Sequence, residues 1–466
     1  MAERVVVVGA DAAGMSAAHQ ALRTARSRGR ELDVVVLERS AHTSYSACGI
    51  PYWIAGDLDD PDLLVARPAE EHRALGVDLR LRTPAVGLDL AAGRVTTWSA
   101  DAGTSVLGYD HLVLATGARA RVPGWALDAS GAWIPGIRVL KTLDDGAAWV
   151  EAVGEAADDA TREWRPARAV IVGGGYIGVE TAEAFVRRGL RTTLVTRREV
   201  MGTLDPDMGA RVRAALTAGG VEVVCREEVN GLDTGPDGSV AAVRSGDDVF
   251  PADVVALGIG VDPATELAKD AGLPLGAFGG LLPDERQHVA DGVWGVGDCC
   301  ESLERIEGHR VYVPLGTHAN KQGRVAGENL AGGSATFGGV LGTAVTQFSA
   351  GGVHVEVGRT GPTTEQAGTD GEVVSLVTES TTVAGYMPQA RPIAVKVLAR
   401  PDGRLVGVQI VGGAGSAKRV DTAAAALWYR GRVEDVAGMD LSYAPTFSPV
   451  WDPVQIACRR LADRLR

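Results

Sequence analysis

The chain has 466 residues, 45% hydrophobic and 23% charged, with 61 glycines and a formal net charge of −13. That length suits about three domains of ~150 residues, each with its own core, and excludes a disordered chain, while an acidic balance without a basic run speaks against a nucleic-acid partner. No apolar stretch reaches the length of a membrane span or of a signal peptide's core, and five cysteines without a regular framework fit a reduced, cytoplasmic setting better than a secreted one.

In chain order, residues 4–8 are β-branched and predict a strand. A turn over 9–14, a helix over 15–28 and a strand over 33–37 complete the start of a βαβ unit. Residues 152–166, rich in Ala, Asp and Glu, read as a surface helix and then a linker. The first pattern then recurs, with a strand over 169–172, a turn over 173–178, a helix through 188 and a strand over 191–195. Past about residue 340, strands over 353–358, 373–379, 393–398 and 405–411 and a helix over 418–429 predict an antiparallel α+β domain.

The two turns carry the first functional signal. Small residues there let helix-start N–H groups reach a pyrophosphate, and an acidic residue closing the next strand accepts a ribose. Gly173-Gly174-Gly175-Tyr176-Ile177-Gly178 has all three glycines of such a site, whereas Gly9-Ala10-Asp11-Ala12-Ala13-Gly14 puts Asp11 in the middle position. Asp11 is expected either to turn outward or to bond helix-start N–H groups, because a carboxylate aimed at the pyrophosphate would repel it. Glu38 closes the next strand as the ribose acceptor. The equivalent place in the second copy holds Thr196-Arg197-Arg198, which favours a 2′-phosphate and hence NADPH over NADH, with a solvated arginine rim as the alternative.

Three further strings complete the pattern: Leu112-Val113-Leu114-Ala115-Thr116-Gly117-Ala118, Val293-Trp294-Gly295-Val296-Gly297-Asp298, and Ser44-Tyr45-Ser46-Ala47-Cys48-Gly49-Ile50-Pro51-Tyr52. Together they resemble the pyridine nucleotide-disulfide oxidoreductases, in the single-cysteine branch that contains coenzyme A disulfide reductase, NADH oxidase, NADH peroxidase and persulfide reductase. The likeness runs on into the stretch from Tyr443 to Pro453. It implies an α/β fold with two Rossmann-like domains, FAD-binding (1–124 and 263–338) and NAD(P)-binding (125–262), and a C-terminal α+β dimerisation domain (339–466).

By the same resemblance Gly9, Asp11, Ala12, Ala13, Gly14, Glu38, Arg39, Val86, Thr116, Gly117, Ala118, Asp298 and Gly316 would line FAD. Gly173, Gly175, Tyr176, Ile177, Gly178, Thr196, Arg197, Arg198 and Gly260 would hold the nicotinamide nucleotide, with Tyr176 shielding the flavin until nicotinamide displaces it. Cys48 carries the chemistry in this reading, since a thiolate near a helix N-terminus has a lowered pKa and attacks or accepts a disulfide. Ser44, four residues earlier, shares its face if the segment is helical. No second cysteine stands at dithiol spacing, so Cys48 would cycle through a mixed disulfide or a sulfenic acid. Cys299 and Cys300 read as packing residues, and no metal site is expected.

Within the branch, Ala12 stands where peroxidases carry a histidine, and Tyr386 and Tyr443 match tyrosines that coenzyme A disulfide reductases lend to the other subunit. Ser16, Gln20, Arg23 and Ser44 would contact the coenzyme A moiety, although a basic residue of such reductases near position 71 is unmatched, with Glu70 and Glu71 between Arg67 and Arg73. The expected protein is a homodimeric FAD-dependent NAD(P)H oxidoreductase acting on a small disulfide or persulfide, without nucleic-acid or membrane partners. An oxygen-reducing NAD(P)H oxidase and an electron-transfer or signalling flavoprotein that serves a protein partner are the alternatives.

Overall fold

A computed structural model describes residues 2–153 and 167–466, so most of the expected helix and linker at 152–166 lies outside the described residues. The chain forms two compact units: Met1–Gly49 with Asp60–Arg119 and Val261–Val340, and Ile50–Asp59 with Ala120–Gly260 and Leu341–Arg466. Among the described residues no helix is long and apolar enough to cross a membrane.

The first unit is built on a six-stranded sheet in the order His288–Ala290, Val293–Gly295, His111–Leu114, Glu3–Val8, Leu32–Leu37, Asp78–Arg80. Its neighbours run parallel except for the first pair. A central parallel strand is covered on both faces, which is why Val5, Val6 and Val7 follow one another without polar alternation and are all fully buried. On one face Val5 and Val7 pack with Ala17, Ala18 and Ala326 of helices Ala12–Ser27 and Gly316–Leu330. On the other, Val6 and Val8 pack with Val95 of the antiparallel sheet Ala85–Asp89, Arg94–Ser99, Gly103–Gly108. The two helices approach to backbone distance: a Cβ on Gly323 would stand 2.2 Å from the Ala13 carbonyl oxygen, and one on Gly327 2.2 Å from that of Ala17.

The second unit repeats the parallel plan with five strands in the order Val221–Cys225, Arg191–Thr196, Arg168–Val172, Val254–Leu257, Ile137–Val139. It continues into an antiparallel sheet ordered Ala344–Ala350, Val353–Thr360, Leu405–Gly412, Pro392–Ala399, Val374–Thr381. Four of those strands are the ones expected from the sequence; Ala344–Ala350 is an additional edge strand. Carboxylates, those of Glu183 and Asp205 buried, tie the two sheets' elements together. Glu183 of helix Tyr176–Arg187 accepts from the Ser349 amide at 2.7 Å, and Lys396 bridges Asp205 at 2.7 Å and Asp207 at 2.8 Å.

The helix crossing gives a direct test. Gly327→Leu forces the helices apart and is expected to cost about 1–3 kcal/mol or more, whereas Gly231→Ala, with nothing within 4 Å of its new Cβ, stays within about 0.5 kcal/mol. Urea unfolding of the two variants beside the parent reads the difference.

Candidate functional site

The first glycine turn leaves strand Glu3–Val8 at Gly9, whose φ of +110° suits glycine alone and whose Cβ would lie 2.2 Å from the Ala115 oxygen. Gly14 meets the Gly9 oxygen at 1.9 Å in the same way, so the helix start is drawn onto the strand end. Asp11 is the N-cap of helix Ala12–Ser27 in extended conformation, and its side chain does not cap the helix amides. Of the two expected roles, bonding the helix-start N–H groups is therefore not the one adopted. Glu38 accepts from the Ala10 amide at 2.9 Å and the Ser40 amide at 2.8 Å, which aims its carboxylate back at the turn.

Two other segments converge on this turn. Thr116 Oγ1 donates to the Ala264 oxygen at 2.5 Å and the Ala264 amide to the Gly117 oxygen at 2.9 Å, while nothing lies within 4 Å of a Cβ on Gly117. Asp298 sits on the short helical turn Gly297–Cys299, and a Cβ on Gly297 would come 2.8 Å from the Ala13 side chain. Gly316 opens its helix with a similarly empty surround. Gly9, Ala13, Gly14, Glu38, Thr116, Gly117 and Asp298 all belong to the first unit, as do Arg39, which is exposed, and Val86, which is 52% exposed on its strand.

Cys48 is exposed on the short helical turn Ala47–Gly49, just ahead of helix Ile50–Ala55. Ser44 is not on a helix. Its φ of +48° places it in the left-handed region, so the helical face expected to join Ser44 and Cys48 does not exist. The loop is fixed by other means: Thr43 Oγ1 at 2.6 Å and the Ser44 amide at 3.2 Å both donate to the Ala10 oxygen, and the Ala66 amide donates to the Ser44 oxygen at 2.8 Å. Ser16, Gln20 and Arg23 do follow one face of helix Ala12–Ser27, where Gln20 Oε1 accepts from Arg23 at 3.3 Å. Arg67 and Arg73 are engaged with Glu71 at 2.9 Å and the Leu79 carbonyl at 3.0 Å. Cys299 and Cys300 are buried with their sulfurs 3.9 Å apart.

The second glycine turn repeats the first. Gly173 has a φ of +114° with the Gly258 oxygen 2.3 Å from its would-be Cβ, and Gly178 meets the Gly173 oxygen at 2.0 Å. Gly175 caps helix Tyr176–Arg187 with open space beside it. Gly260, at φ +102°, accepts from the Arg121 amide at 3.0 Å, and Ile177 is 38% exposed. Thr196 is buried at the strand end, and beyond it Arg197 and Arg198 are exposed, Arg197 reaching Glu228 at only 3.3 Å.

The Tyr176 hydroxyl is buried, and burial pushes its pKa up. One helical turn on, burial pushes the Glu180 carboxyl up to about 7 while Thr346 Oγ1 donates to it at 2.9 Å. Sequence reasoning missed Glu180; its position four residues after Tyr176, on one helix face, was the available signal.

Tyr386 is 75% exposed and Tyr443 47% exposed, far apart in sequence yet close enough that partial loss of water and a hydrogen bond to Tyr386 push the Tyr443 pKa up. Arg419 clamps their two segments, donating to the Thr382 oxygen at 2.6 Å and the Phe447 oxygen at 2.7 Å while pairing with Asp452 at 2.9 Å.

Residues 3–323 match the family model of pyridine nucleotide-disulphide oxidoreductases, and residues 350–453 match the dimerisation domain of the same family. The chain is 34% identical to the NAD(P)H coenzyme A polysulfide/persulfide reductase of Pyrococcus horikoshii, with 99% of both chains covered. It is 30% identical to the NADH oxidase of Methanocaldococcus jannaschii, again over 99% of both. Among solved structures, the NAD-dependent persulfide reductase of A. fulgidus superposes with a TM-score of 0.90 at 30% identity, over 99% of this chain and 83% of that one.

The Glu180 environment makes stability depend on pH. Folding raises this carboxyl from 4.5 to about 7, so its contribution is intact below the unfolded value and is lost as pH rises through the folded one. The swing is at most about 3 kcal/mol. Glu180→Gln, which can still accept from Thr346, is expected to raise the denaturation midpoint at pH 8 and leave it unchanged near pH 4.5. An equal gain at both pH values would mean that charge is not the cause.

Proposed function

The chain belongs to the pyridine nucleotide-disulphide oxidoreductases, and on that premise we propose that it is an FAD-containing NAD(P)H reductase of a small disulfide or persulfide of the coenzyme A class, working through Cys48. The observation that carries this reading is the loop of exposed Cys48, pinned at Ala10 to the turn that opens the helix bearing Ser16, Gln20 and Arg23. A guanidinium and two neutral polar groups along one helix face suit the phosphate and amide groups of a long anionic thiol.

The first turn fits FAD: amides at a helix start for the pyrophosphate, Glu38 for the adenosine ribose, Asp298 for the ribityl chain, and open space at Gly117 and Gly316. The second turn fits the nicotinamide nucleotide, and exposed Arg197 and Arg198 in place of an acidic residue favour NADPH. Bound FAD supplies the path by which two electrons pass from the nicotinamide hydride to sulfur. The Cys48 thiolate attacks the substrate disulfide, forming a mixed disulfide and expelling one thiolate. Reduction of that mixed disulfide returns Cys48 and releases the second thiol, so one disulfide, one NAD(P)H and one proton give two thiols and NAD(P)⁺.

Tyr386 and Tyr443 polarise or protonate the departing sulfur across a homodimer. Exposed Phe447, Val450 and Trp451 beside Tyr443 suit burial against a second copy. An oxygen-reducing oxidase is the second reading, favoured by the M. jannaschii relative, but Ala12 stands where the first turn would need a histidine to manage protons in peroxide chemistry.

Under nitrogen, NADPH-reduced enzyme should be reoxidised by coenzyme A disulfide faster than by subsequent air, as followed by flavin absorbance. Cys48→Ser should abolish turnover of the disulfide while ferricyanide-linked diaphorase activity persists. Reoxidation by air at the faster rate would replace the reductase with the oxidase.

A further inference from the structure

Behind the Cys48 loop three side chains form a hydrogen-bonded line that the mechanism above does not use. His19 Nε2 lies 2.7 Å from His72 Nδ1, and His72 Nε2 lies 3.0 Å from Ser44 Oγ, with the two rings stacked at 5.0 Å between centroids. His72 is 1% exposed, whereas His19, on helix Ala12–Ser27, is half-buried and in reach of water.

A neutral imidazole donates from one nitrogen and accepts at the other. The line therefore has two forms. In one, His19 donates to His72 and His72 donates to Ser44. In the other, Ser44 donates to His72 and His72 donates to His19. Passing from the first form to the second transfers one proton from His19 Nε2 to His72, one from His72 to Ser44, and one from the Ser44 hydroxyl to whatever base it faces, while His19 Nδ1 takes one from water; proton exchange that returns both rings to their first tautomer resets the line.

The charges around the rings are Arg23 and Arg26 on the His19 helix, Arg67 ahead of helix Ala69–Ala74, and Glu71 on that helix. Burial first, and the cationic excess after it, lower both rings, His72 to about 4. Ser44 itself is anchored on three sides, by its amide to Ala10, its carbonyl to Ala66 and its hydroxyl to His72.

We propose that His19 and His72 form a proton relay that carries the solvent proton consumed in each turnover to the Ser44 hydroxyl, and from it to the thiolate leaving the Cys48 loop. The proposal rests on the Cys48 reading. His19 and His72 are positioning residues, since they act through Ser44. The thiolate gains a proton and becomes the thiol product, and the hydride supplies both electrons.

The test uses holoenzyme with NADPH and coenzyme A disulfide under nitrogen. His72→Gln keeps a donor and an acceptor for Ser44 but cannot pass a proton through a ring. Flavin reduction by NADPH should proceed at the parent rate, which also reports a folded protein, while disulfide turnover falls on the order of 10²-fold. That residual turnover should drop roughly tenfold per pH unit across the neutral range as hydronium replaces the relay, where the parent is flat. His19→Ala should show the same slope and recover with imidazole in the buffer, and it carries the test alone if His72→Gln does not fold. Parental turnover in both variants, or slowed turnover that is flat with pH and deaf to imidazole, overturns the relay. If Cys48→Ser retains disulfide turnover, the underlying reading falls and the relay with it; a dead Cys48→Ser beside fully active histidine variants removes the relay alone.

Discussion

One steric constraint, met twice, organises the molecule: a backbone carbonyl occupies the place where a Cβ would project from the first glycine of each turn. The Ala115 oxygen stands 2.2 Å from that place at Gly9, and the Gly258 oxygen 2.3 Å at Gly173. Any side chain there would push apart two adjacent parallel strands, so the glycine is needed for the sheet to close before it is needed for a ligand. The positive φ then turns the chain sharply into a helix whose first amides point back across the strand ends. Strand pairing, helix direction and the anion-binding end of each helix all follow from that contact.

In the first unit the constraint reaches the Cys48 loop through a single residue. The Ala10 amide is taken by Glu38, and its carbonyl by Thr43 and Ser44. Glu38 and the head of the Cys48 loop are thus hydrogen-bonded to opposite ends of the same residue, inside a turn that Gly9 and Gly14 hold rigid. Such bonds are individually worth only about 0.5–1.5 kcal/mol. Their value here is geometric, since a loop outside regular structure gains a fixed position from a strand end.

The strands, the turns and the antiparallel C-terminal sheet were legible because each has a local cause: runs of valine and other apolar residues for strands buried on both faces, and glycines at forced φ for the turns. What was not legible is tertiary. Ser44 was expected to share a helical face with Cys48, but its left-handed backbone is imposed by Ala10, Ala66 and His72, which are remote in sequence. His19 and His72 carry no motif, and only the packing of two helices sets their rings 5.0 Å apart. Glu180 looks like an ordinary helical glutamate until the neighbouring sheet buries it. The edge strand Ala344–Ala350 escaped because alternation alone does not locate an edge.

The two turns, alike in backbone, are made different by what closes the next strand. A carboxylate offers about four acceptor sites, and Glu38 has committed bonds to the Ala10 and Ser40 amides, which leaves acceptor capacity aimed at the turn for the hydroxyls of a ribose. A phosphate ester at that place would meet a negative charge. At the second turn the strand ends in a buried threonine followed by two exposed arginines, which present positive charge where the first turn presents a carboxylate. On the proposed reading, one unit would hold its nucleotide through an anionic contact on a fixed carboxylate, and the other would engage one through charge on exposed side chains. That difference suits a resident group in the first and a substrate that arrives and leaves in the second.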